Sequence, residues 1–290
     1  MSPSILLIGS TGQVGQELQR VLAPYGEAIA VGRSSLNLAQ PETITQFLRT
    51  IKPEIIINAA AYTAVDRAES EPELATAVNT IAPGILAEEA KKLDAFLIHL
   101  STDYVFDGCQ SHPYRETDSP HPLNIYGRTK LAGEQAIRDN CPNHFILRTS
   151  WVYGAYGKSN FVKTMLRLGG EKEEIRVVND QIGSPTWAKD IAKVIAQIKP
   201  GVTGTYHYSN QGAIGWYDFA KAIFEEAAEI GFPLKVQRIV PITTAEYPTP
   251  AKRPAYSVLS CEKISVSLGI HPPHWRESLK QMLKEYKTLI

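Results

Sequence analysis

Cysteine, net charge and long apolar runs are all scarce in this chain of 290 residues. Its three cysteines, Cys109, Cys141 and Cys261, are odd in number and scattered, which excludes a disulfide framework and favours a reducing compartment. The 30 Lys and Arg residues balance the 30 Asp and Glu residues, so no global positive field would draw the chain to nucleic acid or to an anionic membrane. No segment approaches the roughly 20 apolar residues of a transmembrane helix, and Met1-Ser2-Pro3-Ser4 lacks the basic start of a signal peptide. We therefore expect a soluble cytoplasmic protein with no nucleic-acid or membrane partner.

Strands and helices alternate through the first part of the chain, whose overall composition of 43% apolar and 21% charged residues is typical of globular proteins. Predominantly apolar runs, typical of strands buried on both faces of a parallel sheet, occur at residues 5–8, 28–31, 55–57, 95–100 and 145–147. Helical periodicity separates them, with a long helix over residues 73–93 and another over residues 124–139. This order predicts an α/β fold with a doubly wound, Rossmann-like parallel sheet.

The pattern changes near residue 150, beyond which Pro, Gly and Tyr are frequent and the extended segments are shorter. We predict a dinucleotide-binding domain over residues 1–150 and a smaller, mixed α/β substrate domain over residues 151–290. Elements near residues 187–210 are expected to return to the first domain.

A glycine-rich segment separates the first predicted strand from the first predicted helix, with the sequence Gly9-Ser10-Thr11-Gly12-Gln13-Val14-Gly15. One glycine allows the tight turn, one lets a pyrophosphate approach the backbone, and one lets the helix pack closely on the strand. The helix N-terminus then offers N–H groups and a positive dipole end to phosphates. At the first strand–helix turn this spacing favours dinucleotide binding over a purely structural turn.

The end of the second strand is where the adenosine ribose is recognised in such folds. A carboxylate there would bind the 2′-hydroxyl of NAD, but this chain has Arg33 followed by two serines. A guanidinium favours the 2′-phosphate of NADP. The alternative is that Arg33 is a solvated surface charge.

Tyr126 and Lys130 are four residues apart and therefore share one face of a predicted helix. The phenol of a tyrosine ordinarily titrates near pH 10, and a nearby ammonium would lower its pKa. Such a tyrosine can give a proton to a carbonyl oxygen as hydride arrives at the carbon. Ser101 and Thr102 follow the fourth predicted strand, where either hydroxyl could bind the substrate oxygen and orient Tyr126.

These features resemble the extended short-chain dehydrogenase/reductases, and longer strings narrow the resemblance to the dTDP-4-dehydrorhamnose reductase family. The strings run through nearly the whole chain. They are residues 59–66 (AAAYTAVD), 101–108 (STDYVFDG), 148–154 (RTSWVYG), 179–186 (NDQIGSPT) and 248–254 (PTPAKRP).

The resemblance implies that NADPH, or NADH, reduces the C4 keto group of dTDP-4-dehydro-L-rhamnose to give dTDP-L-rhamnose. It implies that Tyr126 is the proton donor, that Lys130 binds the cofactor ribose and polarises Tyr126, and that Thr102 tunes the tyrosine. Together with the glycine loop and Arg33, the candidate cofactor-binding residues are Gly9, Thr11, Gly12, Gln13, Val14, Gly15, Arg33, Asn37, Leu38, Ala61, Tyr62, Thr63, Tyr126 and Lys130. The candidate substrate-binding residues are Thr102, Asp103, Trp151 and Arg253.

Trp151 offers an indole on which a sugar face can stack, although core packing is the alternative, and Arg253 is a candidate for the substrate diphosphate. Some relatives have acidic residues where this chain has Gly32 and Asn37, which agrees with a preference for NADP. Some also bridge a dimer with magnesium through glutamates, but Lys189 stands where a second glutamate would be needed. We expect no metal, and the oligomeric state is left between a monomer and a weak homodimer.

Two other functions remain open from the sequence. A chain of this fold could bind a dinucleotide and regulate a partner without chemistry, as does a similar regulatory subunit of methionine adenosyltransferase. It could also act on another nucleotide-4-ketosugar, as a reductase or as an epimerase that returns its hydride. Fold and reaction class do not decide between such substrates, because the shape of the pocket does.

Overall fold

The structure is a computed structural model that describes residues 4–23 and 28–290. Residues 1–3, on which the expected absence of a signal peptide partly rests, lie outside these ranges. The strands are β1 (Ile5–Ile8), β2 (Ala28–Val31), β3 (Ile55–Asn58), β4 (Phe96–Thr102), β5 (His144–Thr149), β6 (Val152–Tyr153), β7 (Glu174–Val178), β8 (Ile182–Gly183), β9 (Thr186–Trp187), β10 (Gly204–His207), β11 (Ile214–Gly215) and β12 (Arg238–Ile242).

The α-helices alternate with these strands, as the periodicity predicts. They are α1 (Gln13–Leu22), α2 (Pro41–Ile51), α3 (Val65–Ala68), α4 (Pro72–Thr76), α5 (Ala82–Lys92), α6 (Ile125–Asn140), α7 (Phe161–Glu171), α8 (Ala188–Ile195), α9 (Trp216–Glu229), α10 (Glu262–Leu268) and α11 (Trp275–Lys287). No helix in the described ranges is long and apolar enough to cross a membrane.

Six strands form the central sheet in the order β10-β5-β4-β3-β1-β2, and every neighbouring pair is parallel. The doubly wound parallel sheet predicted from the sequence is therefore confirmed. The chain goes from β1 to β2 on one side and then returns to place β3 on the other side of β1. Ligands of open α/β sheets bind at such a switch point, beyond the carboxyl ends of the strands.

Both faces of this sheet are buried, because successive side chains of each strand point to opposite faces. In β1, Ile5 and Leu7 join one apolar cluster with α1 and α8, whereas Leu6 and Ile8 join a second cluster with α2 and α5. A third cluster combines side chains of α7, α9, α11 and β7. This last cluster is a further apolar core, separate from the two that pack on the central sheet.

The late segment of the chain contributes directly to the central sheet. Strand β10 pairs with β5, with Gly204 opposite Phe145 and His207 opposite Arg148. Helix α8 packs against α1 on the same face. The segments that flank this return carry the third apolar cluster and include the parallel pair of β7 and β12.

Two elements near the candidate site differ from the sequence prediction. Strand β4 continues to Thr102 rather than ending at Leu100, because Ser101 and Thr102 still pair with Arg148 and Thr149 of β5. The long helix expected over residues 73–93 is interrupted by a π-helical turn over Ala77–Ile81.

Candidate active site

The glycine loop closes the gap between β1 and α1 by close backbone contacts. Gly9 has a φ of 89°, and a Cβ on it would lie 2.6 Å from the backbone nitrogen of Ala60, just after β3. A Cβ on Gly15 would overlap the carbonyl oxygen of Gly9. The backbone nitrogens of Gly9 and Ser10 donate to the carbonyl oxygen of Val31. The loop is therefore fixed at the switch point between β1, β2 and β3.

The N-terminus of α1 suits a pyrophosphate. Gly12 is the N-cap and provides no side-chain hydrogen bond, so no side chain of the cap competes for the N–H groups of the first turn. The nearest group to a Cβ on Gly12 is the carbonyl oxygen of Gly9, at 3.3 Å, and Gly12 itself is exposed. The side chain of Gln13 accepts a hydrogen bond from Asn160 at 2.8 Å, which leaves its backbone for a ligand.

Arg33 lies beside this loop, two residues after β2. It is exposed, and it makes no ion pair with the residues that the structure describes. A Cβ on the preceding Gly32 would lie 3.1 Å from the methyl group of Thr11, so the segment runs against the loop. Asn37 accepts a hydrogen bond from the backbone nitrogen of Ala39, and the side chain of Leu38 is buried in the core.

The stretch after β3 lies next to the switch point. Tyr62 exchanges backbone hydrogen bonds with the side chain of Asn79, whose amide also reaches the hydroxyl of Thr129 at 3.2 Å. The hydroxyl of Tyr62 donates to Glu71 at 2.5 Å, and this bond is the main reason that the pKa of Tyr62 is raised. Ala61 and Thr63 flank it and are at least partly exposed. The candidate cofactor-lining stretch is thus tied to the helices behind it.

Tyr126 lies in the first turn of α6, which approaches the end of β4 unusually closely. Asn124 caps the helix by accepting a hydrogen bond from the backbone nitrogen of Gly127 at 2.8 Å. A Cβ on Gly127 would overlap the carbonyl oxygen of Tyr104, so only glycine permits this approach. The ring of Tyr126 meets that of Tyr104 edge to face, with centroids 5.5 Å apart. The helix therefore brings Tyr126 against the segment that follows β4.

The pKa of Tyr126 differs from the sequence prediction. Burial raises the pKa to about 12, hydrogen bonding with Thr102 opposes this rise, and the negative charge of Asp103 adds to it. The expected lowering of the pKa of Tyr126 by Lys130 is not among these effects. Nζ of Lys130 instead contacts His99 and Leu100 of β4. The phenol therefore keeps its proton at neutral pH.

Lys130 is 1% exposed and points toward the sheet. Its Nζ donates to the carbonyl oxygen of Leu100 at 2.7 Å and lies 3.1 Å from Nε2 of His99. Burial lowers the pKa of Lys130 to about 8, while Glu134 opposes that change. A lysine in this position changes its charge near the pH of the cell.

The two hydroxyls considered at the end of β4 have different surroundings. Ser101 donates to Glu134 at 2.6 Å, within a buried network that includes Arg148. Thr102 donates to the carboxylate of Asp103 and accepts from the backbone nitrogen of Tyr104. Of the two hydroxyls, only that of Thr102 affects the pKa of Tyr126. The structure thus favours Thr102 as the tuning hydroxyl.

Asp103 is 2% exposed, and its Oδ2 has no hydrogen-bond partner among the described residues. Burial raises the pKa of the carboxyl to about 6, and hydrogen bonds from Ser257 and Thr102 oppose the rise. A buried, unpartnered carboxylate oxygen is costly unless a ligand completes it. Its position next to Thr102 and Tyr126 suits a substrate hydroxyl.

Trp151 follows β5 with a φ of 45°, which is rare for a residue other than glycine. Its indole stacks on that of Trp216, with ring centroids 3.4 Å apart and planes 4° from parallel. A Cβ on Gly183 would overlap the same ring. Trp151 is half-buried, so part of the ring remains accessible.

Arg253 already has strong partners. Its guanidinium makes two hydrogen bonds with Asp66, at 3.0 and 2.7 Å, and also reaches Thr249 and the carbonyl oxygen of Ala251. The Asp66 carboxylate, whose pKa this pairing lowers, neutralises the charge expected to meet the substrate diphosphate. Arg253 would have to share its donors to bind a phosphate.

Sequence reasoning gave no role to two buried polar groups behind the site, His99 and Asn79. His99 interrupts the apolar run of β4, which is the signal that could have found it. Asn79 lies in the π-helical turn and is 1% exposed. Its position depends on contacts distant in the chain, which local periodicity does not encode.

Helix α1 contains a buried acidic side chain. Glu17 is fully buried, and its carboxylate has no hydrogen-bond partner in the described part of the chain. Lys189 pairs with Glu285 at 3.0 Å instead of offering a carboxylate. Residues 4–23 and 28–290 contain no group of three or more His, Cys, Asp and Glu side chains that could hold a metal ion.

A glycine loop at the switch point, with a tyrosine and a lysine on the helix beyond β4, defines a dinucleotide-dependent reductase of the extended short-chain type. The family model described as "RmlD substrate binding domain" matches residues 3–288. The dTDP-4-dehydrorhamnose reductase of Escherichia coli K12 is 47% identical over 98% of both chains. The chain belongs to this RmlD family.

Solved structures agree with this assignment. The dTDP-4-dehydrorhamnose reductase of Bacillus anthracis, in complex with NADP, superposes with a TM-score of 0.92 and 39% identity, covering 98% of this chain and 100% of that one. A UDP-glucose 4-epimerase of Thermotoga maritima superposes with a TM-score of 0.82 at 20% identity, covering 99% of this chain and all of its own. The second likeness shows the fold alone.

Proposed function

We infer that the chain uses NADPH to reduce the C4 keto group of dTDP-4-dehydro-L-rhamnose, giving dTDP-L-rhamnose. The full-length identity to reductases of that substrate supports this inference, as does the NADP complex of a structural relative. The single structural observation that carries it is the cluster of Tyr126, Thr102 and Asp103, which lies at the carboxyl end of β4 beside the switch point.

The residues present fit a nicotinamide dinucleotide. Gly12 presents an open backbone and an uncapped helix N-terminus to a pyrophosphate, and Arg33 lies within the loop region where a 2′-phosphate is recognised. Lys130, on the same helix as Tyr126, is our candidate for the nicotinamide ribose. When bound, the reduced nicotinamide supplies the hydride.

The chain's own residues supply the proton and the orientation. As hydride adds to C4, the carbonyl π electrons move to O4, and that oxygen takes the phenolic proton of Tyr126. Because the pKa of Tyr126 is about 12, the phenol stays protonated at neutral pH yet is more acidic than the alcohol that the developing alkoxide becomes. Thr102 favours the phenolate that forms as the proton leaves, and the free oxygen of Asp103 is placed to accept from a sugar hydroxyl.

The proposed substrate domain, residues 151–290, would hold the rest of the nucleotide sugar. The accessible part of Trp151 offers an apolar face for the sugar ring. Arg253, fixed by Asp66, is the proposed contact for the diphosphate. The division of the chain near residue 150 into cofactor and substrate units also remains a proposal.

Turnover by the purified chain tests the proposed function. We expect NADPH oxidation with dTDP-4-dehydro-L-rhamnose, and a loss of kcat of about 10²–10⁴-fold in Tyr126→Phe, which removes the proton donor. Tyr206→Phe is the matched control, since Tyr206 lies in β10 and stacks on Phe145 within the core. Unchanged kcat in Tyr126→Phe would show that another group donates the proton.

The same assay separates the alternatives. An epimerase would convert its substrate without net consumption of NADPH, and a regulatory subunit would bind NADPH without turnover. The intact cluster of Tyr126, Lys130 and Thr102 favours catalysis over regulation. We also propose a cytoplasmic location, which rests on the three free cysteines and on the reducing compartment that they suit.

A further inference from the structure

The first turn of α6, which carries Tyr126, is held by a carboxylate from a distant part of the chain. Glu69 accepts a hydrogen bond from the backbone nitrogen of Ile125 at 2.7 Å. Ile125 is the first residue of the helix, so its N–H group has no carbonyl partner within the helix. Glu69 lies 56 positions earlier, immediately after α3. The residue next to Tyr126 is therefore fixed from outside the helix.

Asn124, the N-cap of the same helix, uses both ends of its side-chain amide. Its Oδ1 accepts from the backbone nitrogen of Gly127 at 2.8 Å, and its Nδ2 donates to the carbonyl oxygen of Lys252 at 2.8 Å. Asparagine can do both because it carries an acceptor and a donor, whereas aspartate can only accept. Asn124 is 1% exposed. This residue therefore ties the start of α6 to the segment before Arg253.

The two segments that hold α6 are also joined to each other. The guanidinium of Arg253 pairs with the carboxylate of Asp66 at 2.7 Å. Asp66 lies three residues before Glu69, and Arg253 directly follows Lys252. This ion pair closes the contacts of Glu69 and Asn124 into a ring of three long-range links.

The ring bears on Tyr126 because it holds the residues on both sides of it. Glu69 binds the backbone nitrogen of Ile125, and Asn124 binds that of Gly127. The phenol therefore has little freedom to move relative to the end of β4. A misplacement of about 1 Å can cost roughly 10²-fold in rate.

We propose that Glu69 and Asn124 are positioning residues that hold the phenol of Tyr126 at the ketone oxygen. They also tie that phenol to the segments that carry the proposed diphosphate contact, Arg253 with Asp66. Both side chains act through the backbone of α6. This role rests on the proposed reductase function.

The position of the phenol can be measured without turnover, by ¹⁹F NMR on the full chain labelled with fluorotyrosine. Tyr126→Phe assigns the signal by its disappearance. We expect Glu69→Ala to displace or broaden the Tyr126 signal, and Glu69→Gln, which keeps an acceptor oxygen, to leave it near its original position. Glu73→Ala is the matched control, since Glu73 is an exposed glutamate of the neighbouring α4.

A Tyr126 signal unchanged in Glu69→Ala would overturn the proposal, whether or not the proposed substrate is turned over. A displaced signal in that variant, together with no turnover by the wild type, would count against the reductase function and not against the anchoring of α6.

Kinetics separate positioning from a general loss of structure. In Glu69→Ala we expect kcat to fall at least about tenfold, because the proton donor is misplaced. The Kd for NADPH should not change, since the glycine loop lies outside the ring. Glu69→Gln should recover most of kcat. Equal losses in kcat and in NADPH affinity, with no recovery in Glu69→Gln, would contradict the assigned role.

Asn124→Asp tests the second anchor, because aspartate can still cap Gly127 but cannot donate to the carbonyl oxygen of Lys252. We expect a displaced Tyr126 signal and a lower kcat. Asn140→Asp, the same substitution at the last residue of α6, should change neither. Thermal unfolding of both variants checks that they are folded. A folded Asn124→Asp with the original signal and kcat would overturn the role given to Asn124.

Discussion

The indole rings of Trp151 and Trp216 lie 3.4 Å apart and within 4° of parallel. Trp151 has a left-handed backbone conformation, which costs about 1–3 kcal/mol. The stack on Trp216 holds the ring in place, and the absence of a side chain at Gly183 leaves room for it. Trp216 therefore determines which part of Trp151 faces the proposed sugar site.

Trp216→Leu should weaken substrate binding more than cofactor binding. Without the stack, the Trp151 ring is free to leave its position, and aromatic pairs contribute about 0.5–1.5 kcal/mol beyond area burial. We expect KM for the nucleotide sugar to rise roughly 3–10-fold, with the Kd for NADPH unchanged. Steady-state kinetics and a fluorescence titration measure the two quantities. Trp216→Phe, which retains an aromatic partner, should restore most of the affinity; an equal rise in both constants would argue against this role.

Gly127→Ala should separate α6 from the segment after β4. The added Cβ would overlap the carbonyl oxygen of Tyr104, and relieving such a clash costs about 1–3 kcal/mol. Because Tyr126 moves with the helix, we expect kcat to fall at least about tenfold. Gly170→Ala is the control, since a Cβ there lies 3.3 Å from its nearest neighbour in a helix remote from the site. Thermal unfolding and kcat should be measured on both variants; equal kcat values in them would exclude the proposed close approach.

Arg33→Ala should reduce the preference for NADPH over NADH. If the guanidinium binds the 2′-phosphate, its loss removes a charge-assisted hydrogen bond worth about 1.5–3 kcal/mol. KM for NADPH should then rise about 10–100-fold while KM for NADH stays constant. Arg176→Ala, which removes an exposed arginine of β7, is the control. An equal rise in KM for NADPH and for NADH would mean that Arg33 does not bind the 2′-phosphate.

Glu17→Gln should increase stability at neutral and alkaline pH. Burial raises the pKa of the Glu17 carboxyl to about 7, while a glutamate in the unfolded chain titrates near 4.3. Between these values the folded chain binds more protons than the unfolded one, so stability falls as the pH rises through this window. The variant lacks that loss and should gain up to about 3 kcal/mol at pH 8 relative to the wild type. Urea unfolding at pH 5 and pH 8 measures it.

Glu89→Gln provides a control of opposite sign. The hydrogen bond from Arg49 lowers the pKa of Glu89, so its carboxylate stabilises the fold above the pH at which the unfolded chain titrates. Its removal should lower stability at both pH 5 and pH 8. If Glu17→Gln also destabilised the chain at pH 8, the Glu17 carboxylate would have a favourable partner after all.

The apolar runs and the glycine spacing were enough to predict the central sheet and the glycine-rich turn between β1 and α1, because both depend on local sequence. The parallel pair of β7 and β12 was missed, since Glu174 and Arg238 begin strands whose pairing depends on residues more than 60 positions apart. The same limit applies at the site. Tyr126 and Lys130 were proposed as a pair from their spacing, but that spacing does not predict that Lys130 points at the sheet, where its Nζ lies 3.1 Å from Nε2 of His99.

The edge strand β10 comes late in the chain, so the central sheet is complete only after most of the chain has been synthesised. Within residues 4–23 and 28–290, the outer edge of β5 is paired by residues 204–207, and α8 covers α1 from nearly the same late segment. Chain emerging from the ribosome therefore exposes an unpaired strand edge and an uncovered apolar helix until roughly two thirds of it has been made. A fragment ending at residue 150 would keep both defects permanently, and an exposed edge of that kind invites aggregation. Residues 1–150 therefore contain neither the strand nor the helix that completes this side of the sheet.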